Sequence, residues 1–326
     1  MATRDTTGPG RWVHPSRLVR FGALAVTVAL CPARLGAQTT DEVFRIVELT
    51  DGVHAALVRD DASLYAFANS LVVAGTRGML VVDTQQSPAA ARALLEWIRE
   101  HTALPVRWVV NTHGHSDHTY GNQVYRDAFP GVGIVAHETV RRFMQATAPD
   151  ALAEEVRALE TSIADRRRWL AAGARDDGTP LTEAARPGIE RSLAIRTAYL
   201  PELRTLRLTP PDVTFRDRLT LDLGDRTVEL IALGPAHTSG DVVVHLPVER
   251  IMAVGDLLEE GALWTACADL AGWVRALERI ADHRPRVLLP AHGGVQRGDS
   301  LLRGQLAFLR ASPPDTTPAV DCRHAP

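Results

Sequence analysis

The sequence predicts a mixed α/β protein: two strand-rich halves face each other, with helices outside. Three observations lead there. Short apolar runs alternate with segments of helical spacing along the chain. Each half opens with several strand-like runs and adds helices afterwards. Histidine and aspartate gather just after apolar runs, at the kind of sheet edge where loops converge on a ligand.

The elements follow in order. Strands are expected at Val43–Leu49, Val53–Val58, Ala68–Ala74 and Met79–Asp83, the last two joined by the turn Gly75-Thr76-Arg77-Gly78. Ser87-Pro88 is a helix start, and Ala91, Leu94, Leu95 and Ile98 keep helical spacing to about His101. A strand at Val106–Val110 runs directly into NTHGHSDH. A helix-like piece (Asn122–Phe129), a strand (Val132–Ala136) and a helix from His137 come next. Residues 149–200 are rich in Ala, Arg and Glu and read as a helical insert, interrupted by Asp176-Asp177-Gly178-Thr179-Pro180. Its Arg166-Arg167-Arg168 run reads as a solvated helix face. Strands return at Val213–Phe215, Leu219–Leu223, Thr227–Ala232, Asp241–Leu246 and Ile251–Val254. Helices at about Asp269–Ala281 and Leu301–Leu309 flank a strand at Val287–Leu289.

The N-terminus is of another kind. Arg11, Arg17 and Arg20 precede the apolar run Phe21–Leu30, and a small-residue stretch ends at Gly36-Ala37. That order describes a secretory signal peptide over residues 1–37, cut after Ala37. The run is too short to span a bilayer, which takes about 20 apolar residues. The working domain is then expected over residues 38–311, with a loose tail at 312–326. A periplasmic or secreted location follows. Cys267 and Cys322 stay with the mature chain; one disulfide between them and two unpaired thiols are both open.

Composition narrows the chemistry. The 326 residues are 45% hydrophobic and 23% charged, enough for a packed core. The net charge of -3 becomes more negative once the arginine-rich leader is removed, which argues against a nucleic-acid partner. All 36 basic residues are arginine. Schiff-base, Walker, kinase and Ser–Lys mechanisms, which need a lysine, are excluded.

The chemistry gathers in a few places. His113, His115, Asp117 and His118 lie within six residues, among Gly, Ser and Thr. A spacing of two along extended chain points His113 and His115 the same way. Three further apolar runs end in a ligand-type residue: His237 after Leu233-Gly234-Pro235-Ala236, Asp256 after Ala253-Val254-Gly255, and His292 after Leu289-Pro290-Ala291. Imidazole and carboxylate together suit borderline divalent ions such as zinc. Seven such side chains on four loops are enough for two metals.

The string THGHSDH resembles the HxHxDH signature of the metallo-beta-lactamase superfamily. The later pieces keep the family's order: Gly234-Pro235-Ala236-His237-Thr238-Ser239-Gly240-Asp241, then Gly255-Asp256, then Pro290-Ala291-His292-Gly293. The similarity covers about residues 43–309 apart from the insert. It implies a four-layer αββα sandwich with a dinuclear site at one edge. It also implies roles: His113, His115 and His237 on the first metal, Asp117, His118 and His292 on the second, and Asp256 bridging. Asp83, at the end of its strand, resembles the family's aspartate beneath the metal loop, and a plain turn residue is the alternative. Family position makes His137 a non-ligand and a helix cap. Ala236 and Ala291 depart from the family, which has glycine before each late histidine.

The implied reaction is hydrolysis. Two divalent ions, zinc first and iron or manganese as alternatives, activate a bridging hydroxide that attacks a carbonyl of a small-molecule substrate, with Asp117 orienting it or carrying a proton. Esters, thioesters, lactones and beta-lactams all qualify. Export favours a beta-lactamase proper, whereas Asp256 stands where those enzymes generally have Cys or Ser. A glyoxalase II-like thioesterase shares the ligand set, but the glutathione-holding lysines known for that group are missing. A mononuclear iron oxygenase on the same fold and a non-catalytic metal-binding relay protein are the alternatives from other classes. The loop Ala62–Phe67, the insert and Trp264 are candidate pocket walls. No stable membrane span is expected, and the oligomeric state is open.

Overall fold

The computed structural model describes residues 40–261 and 263–312. The expected signal peptide, its cleavage point and the tail beyond Ser312 lie outside these residues.

A 3-10 turn at Thr40–Glu42 leads into a seven-stranded sheet. Its strands lie in chain order: β1 (Phe44–Thr50), β2 (Val53–Val58), β3 (Ser70–Gly75), β4 (Gly78–Val82), β5 (Val106–Val110), β6 (Gly133–His137) and β7 (Val213–Phe215). The first four are antiparallel, β1–β2 and β3–β4 joined by short turns and β2–β3 by the longer loop from Arg59 to Asn69; from β4 to β7 the pairing is parallel. Parallel neighbours need crossovers. Here they are α1 (Pro88–His101), a pair of short helices α2 (Ser116–Thr119) and α3 (Asn122–Ala128), and a longer excursion from β6 to β7. That excursion holds α4 (Glu138–Ala146), α5 (Ala148–Ala172) and α6 (Arg186–Arg204).

The second sheet has six strands in the order β13-β12-β11-β10-β9-β8. They are β8 (Arg218–Asp222), β9 (Thr227–Ala232), β10 (Val242–Leu246), β11 (Ile251–Glu259), β12 (Val287–His292) and β13 (Gln296–Arg297). Only β11 and β12 are parallel, and α7 (Leu270–Asp282) makes their crossover. The helix α8 (Ser300–Ala311) closes the described chain.

Alternation along the strands builds four layers. Leu80 and Val82 of β4 point between the sheets and meet Leu230, Val244 and Ala253 of the second sheet in one core. Met79 and Val81 point outward onto Leu94, Leu95 and Ile98 of α1. On the far side Val243, Met252 and Val254 pack under Trp273, Leu277 and Ile280 of α7. Strands covered on both faces read as continuous apolar runs, and these do. Helix α1 starts where its sequence says: the Ser87 side chain accepts from the Ala90 backbone N–H at 3.1 Å, and Pro88 takes the first turn. Truncating Leu94, fully buried under the sheet, would cost about 2–5 kcal/mol.

Two strands run further than the sequence suggests. Strand β11 continues through Gly255 and Asp256 to Glu259, and β12 continues through Pro290 to His292. The cause is a register irregularity around Gly255, where φ is +54°. A Cβ there would lie 2.7 Å from the Thr112 hydroxyl oxygen, so glycine alone fits without displacement. Asp256 and His292 therefore stand on strands, not on loops beyond them. Strand β13 has two residues and no apolar signal. In the helical pair α5–α6, Arg166 turns inward and donates to Ser192 Oγ at 3.0 Å, whereas Arg168 pairs with Asp165 and Asp176 at the surface.

Candidate metal centre

Strand β5 ends at Val110, and the next residues are fastened before the histidines begin. The backbone N–H of Thr112 donates to Asp83 Oδ1 and its hydroxyl to Asp83 Oδ2, both at 2.8 Å. Asp83 Oδ2 also lies 2.8 Å from His118 Nδ1. Asp83 is buried and holds φ +57°, the left-handed region that non-glycine residues enter at a cost. The His118 carbonyl accepts from Asn111 Nδ2 (2.8 Å) and from the Thr84 backbone N–H (3.0 Å). Asn111 and Asn122 are paired through both amides, at 2.8 and 3.0 Å. The turn through α2 is thus fixed from beneath.

The second half delivers its residues singly. His237 lies in a turn closed by Asp241, whose carboxylate accepts from the Thr238 backbone N–H (2.8 Å) and hydroxyl (2.7 Å). Asp256 follows the bulge in β11. His292 ends β12, and its turn is gripped across the molecule by Asn69. The Asn69 amide nitrogen donates to the carbonyls of Pro290 (3.0 Å) and Gly293 (2.9 Å), and its backbone N–H donates to Ala291 O (2.7 Å). Ala236 and Ala291 are buried and need no left-handed backbone, so their methyl groups are accommodated.

All seven residues singled out in the sequence come together, in two groups: His113, His115, His237 and Asp256, and Asp117, His118 and His292. In the first, His113 Nε2 is 2.8 Å from His115 Nδ1, and His237 Nε2 is 3.1 Å from the same atom. Asp256 Oδ2 stands 3.5 Å from His113 Nε2 and 3.4 Å from His237 Nε2. In the second, Asp117 Oδ2 is 3.4 Å from both His118 Nε2 and His292 Nε2. Asp256 turns its other oxygen there, with Oδ1 3.3 Å from His118 Nε2 and 3.5 Å from His292 Nε2.

These spacings test the fit of a metal. A tetrahedral ion with bonds of about 2.0–2.1 Å separates its ligand atoms by about 3.3–3.4 Å. Six of the eight distances fall within about 0.1 Å of that range. His118 Nε2 and Asp256 Oδ1 are moreover buried without hydrogen-bond partners, which a native interior rarely tolerates. The donor set fits two divalent cations sharing Asp256.

Charge is divided between the groups. Burial, with the neighbouring histidines, holds His113 well below the ordinary imidazole range. Burial brings His237 down to about 4. Burial works the same way on His292, but Asp117 and Asp256 outweigh it and lift that ring to about 10. Asp117, Asp256 and Asp83 likewise hold His118 well above its usual value against burial. Carboxylate charge is thus concentrated around His118 and His292.

A cavity of about 910 Å³ opens beside His292, lined among others by Arg45, Ala66, Phe67, Asn69 and Glu260. The Ala62–Phe67 loop contributes its last two residues to this wall. Its Tyr65 instead stacks on Tyr199 of α6 at 4.4 Å. Trp264 is 62% exposed and is not among the lining residues. His137 caps α4, accepting from the Thr139 backbone N–H at 3.3 Å. His54, His101, His245 and His283 stand in ring contacts away from the centre. Cys267 is disulfide-bonded, and Cys322 lies outside the described residues. Sequence reasoning missed Asn69, Thr112 and the Asn111–Asn122 pair, because a buried amide carries no periodic signal. Only the position of Asn111 and Thr112, directly before the histidine cluster, pointed to them.

Comparison with known proteins follows the same line. The family model of the metallo-beta-lactamase superfamily matches residues 66–292. A linear primary-alkylsulfatase from Pseudomonas sp. (strain ATCC 19151) is 24% identical over 243 residues, 71% of this chain and 43% of that protein. The alpha subunit of a 2,4-dinitroanisole O-demethylase from Nocardioides sp. (strain JS1661) is 24% identical over 261 residues, 78% of this chain and 58% of that one. The chain thus spans about half the length of these relatives. The solved structure of a metallo-beta-lactamase from Pontibacter korlensis superposes with a TM-score of 0.56 at 22% identity, covering 82% of this chain and all of the other. At that identity the likeness speaks for the fold.

Proposed function

The chain belongs to the metallo-beta-lactamase superfamily, and on that premise we propose that it is an exported, dinuclear metal-dependent hydrolase acting on a carbonyl-centred bond. The supporting observation is the pair of donor sets joined by the two oxygens of Asp256. His113, His115 and His237 would hold the first ion, Asp117, His118 and His292 the second, and Asp256 would serve both. Two divalent ions there, zinc foremost, would supply Lewis acidity and lower the pKa of a bound water toward neutrality.

The chain's own residues do the rest. Asp83 fixes the His118 ring through Nδ1, the outer contact that sets a ligand's tautomer and orientation. Asp117, partly exposed, is placed to hold a proton taken from the attacking water and return it to the leaving group. The cavity beside His292 admits the substrate and orients its carbonyl. No serine or cysteine nucleophile enters, so no acyl-enzyme forms.

The curated relatives favour a second reading, cleavage of a sulfate ester or an ether, since their names describe an alkylsulfatase and an O-demethylase. Metal analysis of the purified mature chain comes first, followed by turnover on a beta-lactam, a lactone, a thioester and a primary alkyl sulfate. Two divalent ions per chain and chelator-sensitive hydrolysis of a carbonyl substrate are expected. Turnover of the alkyl sulfate alone moves the assignment to the second reading. A single iron with oxygen uptake overturns both. Export predicts a mature N-terminus at Gln38, read by N-terminal sequencing of the secreted or periplasmic fraction. Among the described residues no helix is long and apolar enough to cross a membrane.

A further inference from the structure

The helices α5 and α6 sit beside the turn that carries Asp117 and His118, and one of their side chains reaches into it. Glu155 of α5 is part-buried, in a small cavity of about 120 Å³ that His115, Ser116, Thr119 and Tyr120 also line. Its carboxylate accepts from Gln86 Nε2 at 2.6 Å and bonds the Tyr120 hydroxyl. The same Gln86 nitrogen lies 3.3 Å from Ser116 Oγ, and the Gln86 carbonyl accepts from the Tyr199 hydroxyl of α6 at 3.2 Å. Ser116 and Tyr120 bracket Asp117 and His118. Gln86 belongs to the segment after β4 that also holds Asp83, so one carboxylate ties the insert to both supports of the metal turn.

A carboxylate drawn partly out of water costs free energy unless its bonds are made. Around it Leu159, Ile163, Tyr199 and Leu203 pack together with Tyr120, while Glu202 of α6 makes its own bonds to the Ala89 backbone N–H and to Arg92 at the start of α1. Glu155 is the acid of the insert bonded to Gln86 beside the metal turn, and that placement holds the turn.

We propose that Glu155 is a positioning residue for the second metal, and that the insert is through it part of the metal centre. This rests on reading Asp117, His118 and His292 as ligands. Glu155 touches no ligand atom and acts through Gln86, Ser116 and Tyr120. Loss of the carboxylate loosens residues 116–120 and leaves the His113–His115–His237 group in place.

The test compares Glu155→Ala, Glu155→Gln and Tyr120→Phe with the wild type. In metal-free protein, amide hydrogen exchange at residues 116–120 is expected to speed up at least about ten-fold in Glu155→Ala and to stay near wild type in Glu155→Gln, which keeps an acceptor for Gln86. In equilibrium dialysis against zinc, the weaker-bound ion is expected to lose about 10–100-fold in affinity in Glu155→Ala, the size seen for outer contacts of metal ligands, with the tighter ion within three-fold. A purely structural role would weaken both ions together or neither. Unchanged exchange at 116–120, or equal loss of both ions, overturns the proposal. Should Glu155→Ala fail to fold, Tyr120→Phe removes one hydroxyl and carries the same expectation at smaller size. Exchange is read without metal, so a wild type that binds fewer than two ions sinks the dinuclear reading and leaves this result standing on its own.

Discussion

The two halves of the molecule supply the centre in opposite ways. The first half offers four residues from one short turn, His113 to His118, and stiffens that turn with side chains: Asp83, Thr84, Asn111, Thr112 and Asn122. The second half offers one residue at a time, from a turn and two strands: Asp256 stands on β11, His292 ends β12 where Asn69 grips its turn, and the Asp241 carboxylate closes the turn of His237. The contrast reaches the rings. His118 Nδ1 rests on Asp83, whereas His237 Nδ1 is buried without a partner. Ligands crowded on one turn need an outer scaffold because the single turn of α2 is too short to hold them by itself. Ligands carried on strands inherit their precision from the sheet.

The largest test of that contrast removes the residue where the halves meet. Asp256→Ala should release both ions and lower turnover by more than about 100-fold, beyond what outer contacts are worth; elemental analysis after dialysis measures it, and two retained ions would refute the shared carboxylate. His115→Ala should lose the first ion and activity together, and activity that survived would break the assignment of the first group. Next in size, Asp83→Asn should weaken metal binding by about 10–100-fold with little change in melting temperature. Asn69→Ala should act on the opposite side, lowering affinity for the ion at His292 while leaving exchange at residues 113–118 as in wild type. Equal effects of the two variants on both ions would erase the distinction between scaffolded and strand-borne ligands.

Gly255→Ala probes the backbone route directly. Its left-handed φ and the contact with Thr112 predict a loss of about 1–3 kcal/mol, seen as a lower melting temperature of the metal-free chain. An unchanged melting temperature would mean that the bulge relaxes freely. The smallest effect concerns pH. Burial raises the Glu155 pKa above its ordinary value of 4.5. A raised carboxylate contributes fully below the unfolded value and loses that contribution as pH rises through the folded one. Glu155→Gln, neutral throughout, should therefore gain melting temperature relative to wild type as pH increases upward from about 4. A difference that is flat or shrinks would show that burial does not strain this acid.

The sequence made the layers and the convergence of the seven residues readable for definite reasons. Strands such as Gly78–Val82 are covered on both faces and appear as unbroken apolar runs. Three histidines and an aspartate within six residues have little reason to gather without a cation between them. Other features left no such trace. The extension of β11 past Gly255 hides behind a glycine that reads as a strand end. Asn69 acts through one amide on a partner more than 220 residues away, and nothing local marks it. Glu155 looks like any other acid on a helix rich in Glu and Arg, because only the fold reveals which face meets Gln86. Side chains that act across the fold are the part a linear reading loses.

Neither donor set lies within one half. The first needs His237 and Asp256, and the second needs Asp256 and His292, to complete what the turn at 113–118 begins. During synthesis the histidine-rich turn leaves the ribosome more than a hundred residues ahead of its partners. A half-made chain therefore displays three histidines and an aspartate but no finished cage for an ion. On the proposed reading, firm capture waits until the second sheet has docked, and an exported chain would collect its ions at its destination, from whatever metals that compartment offers.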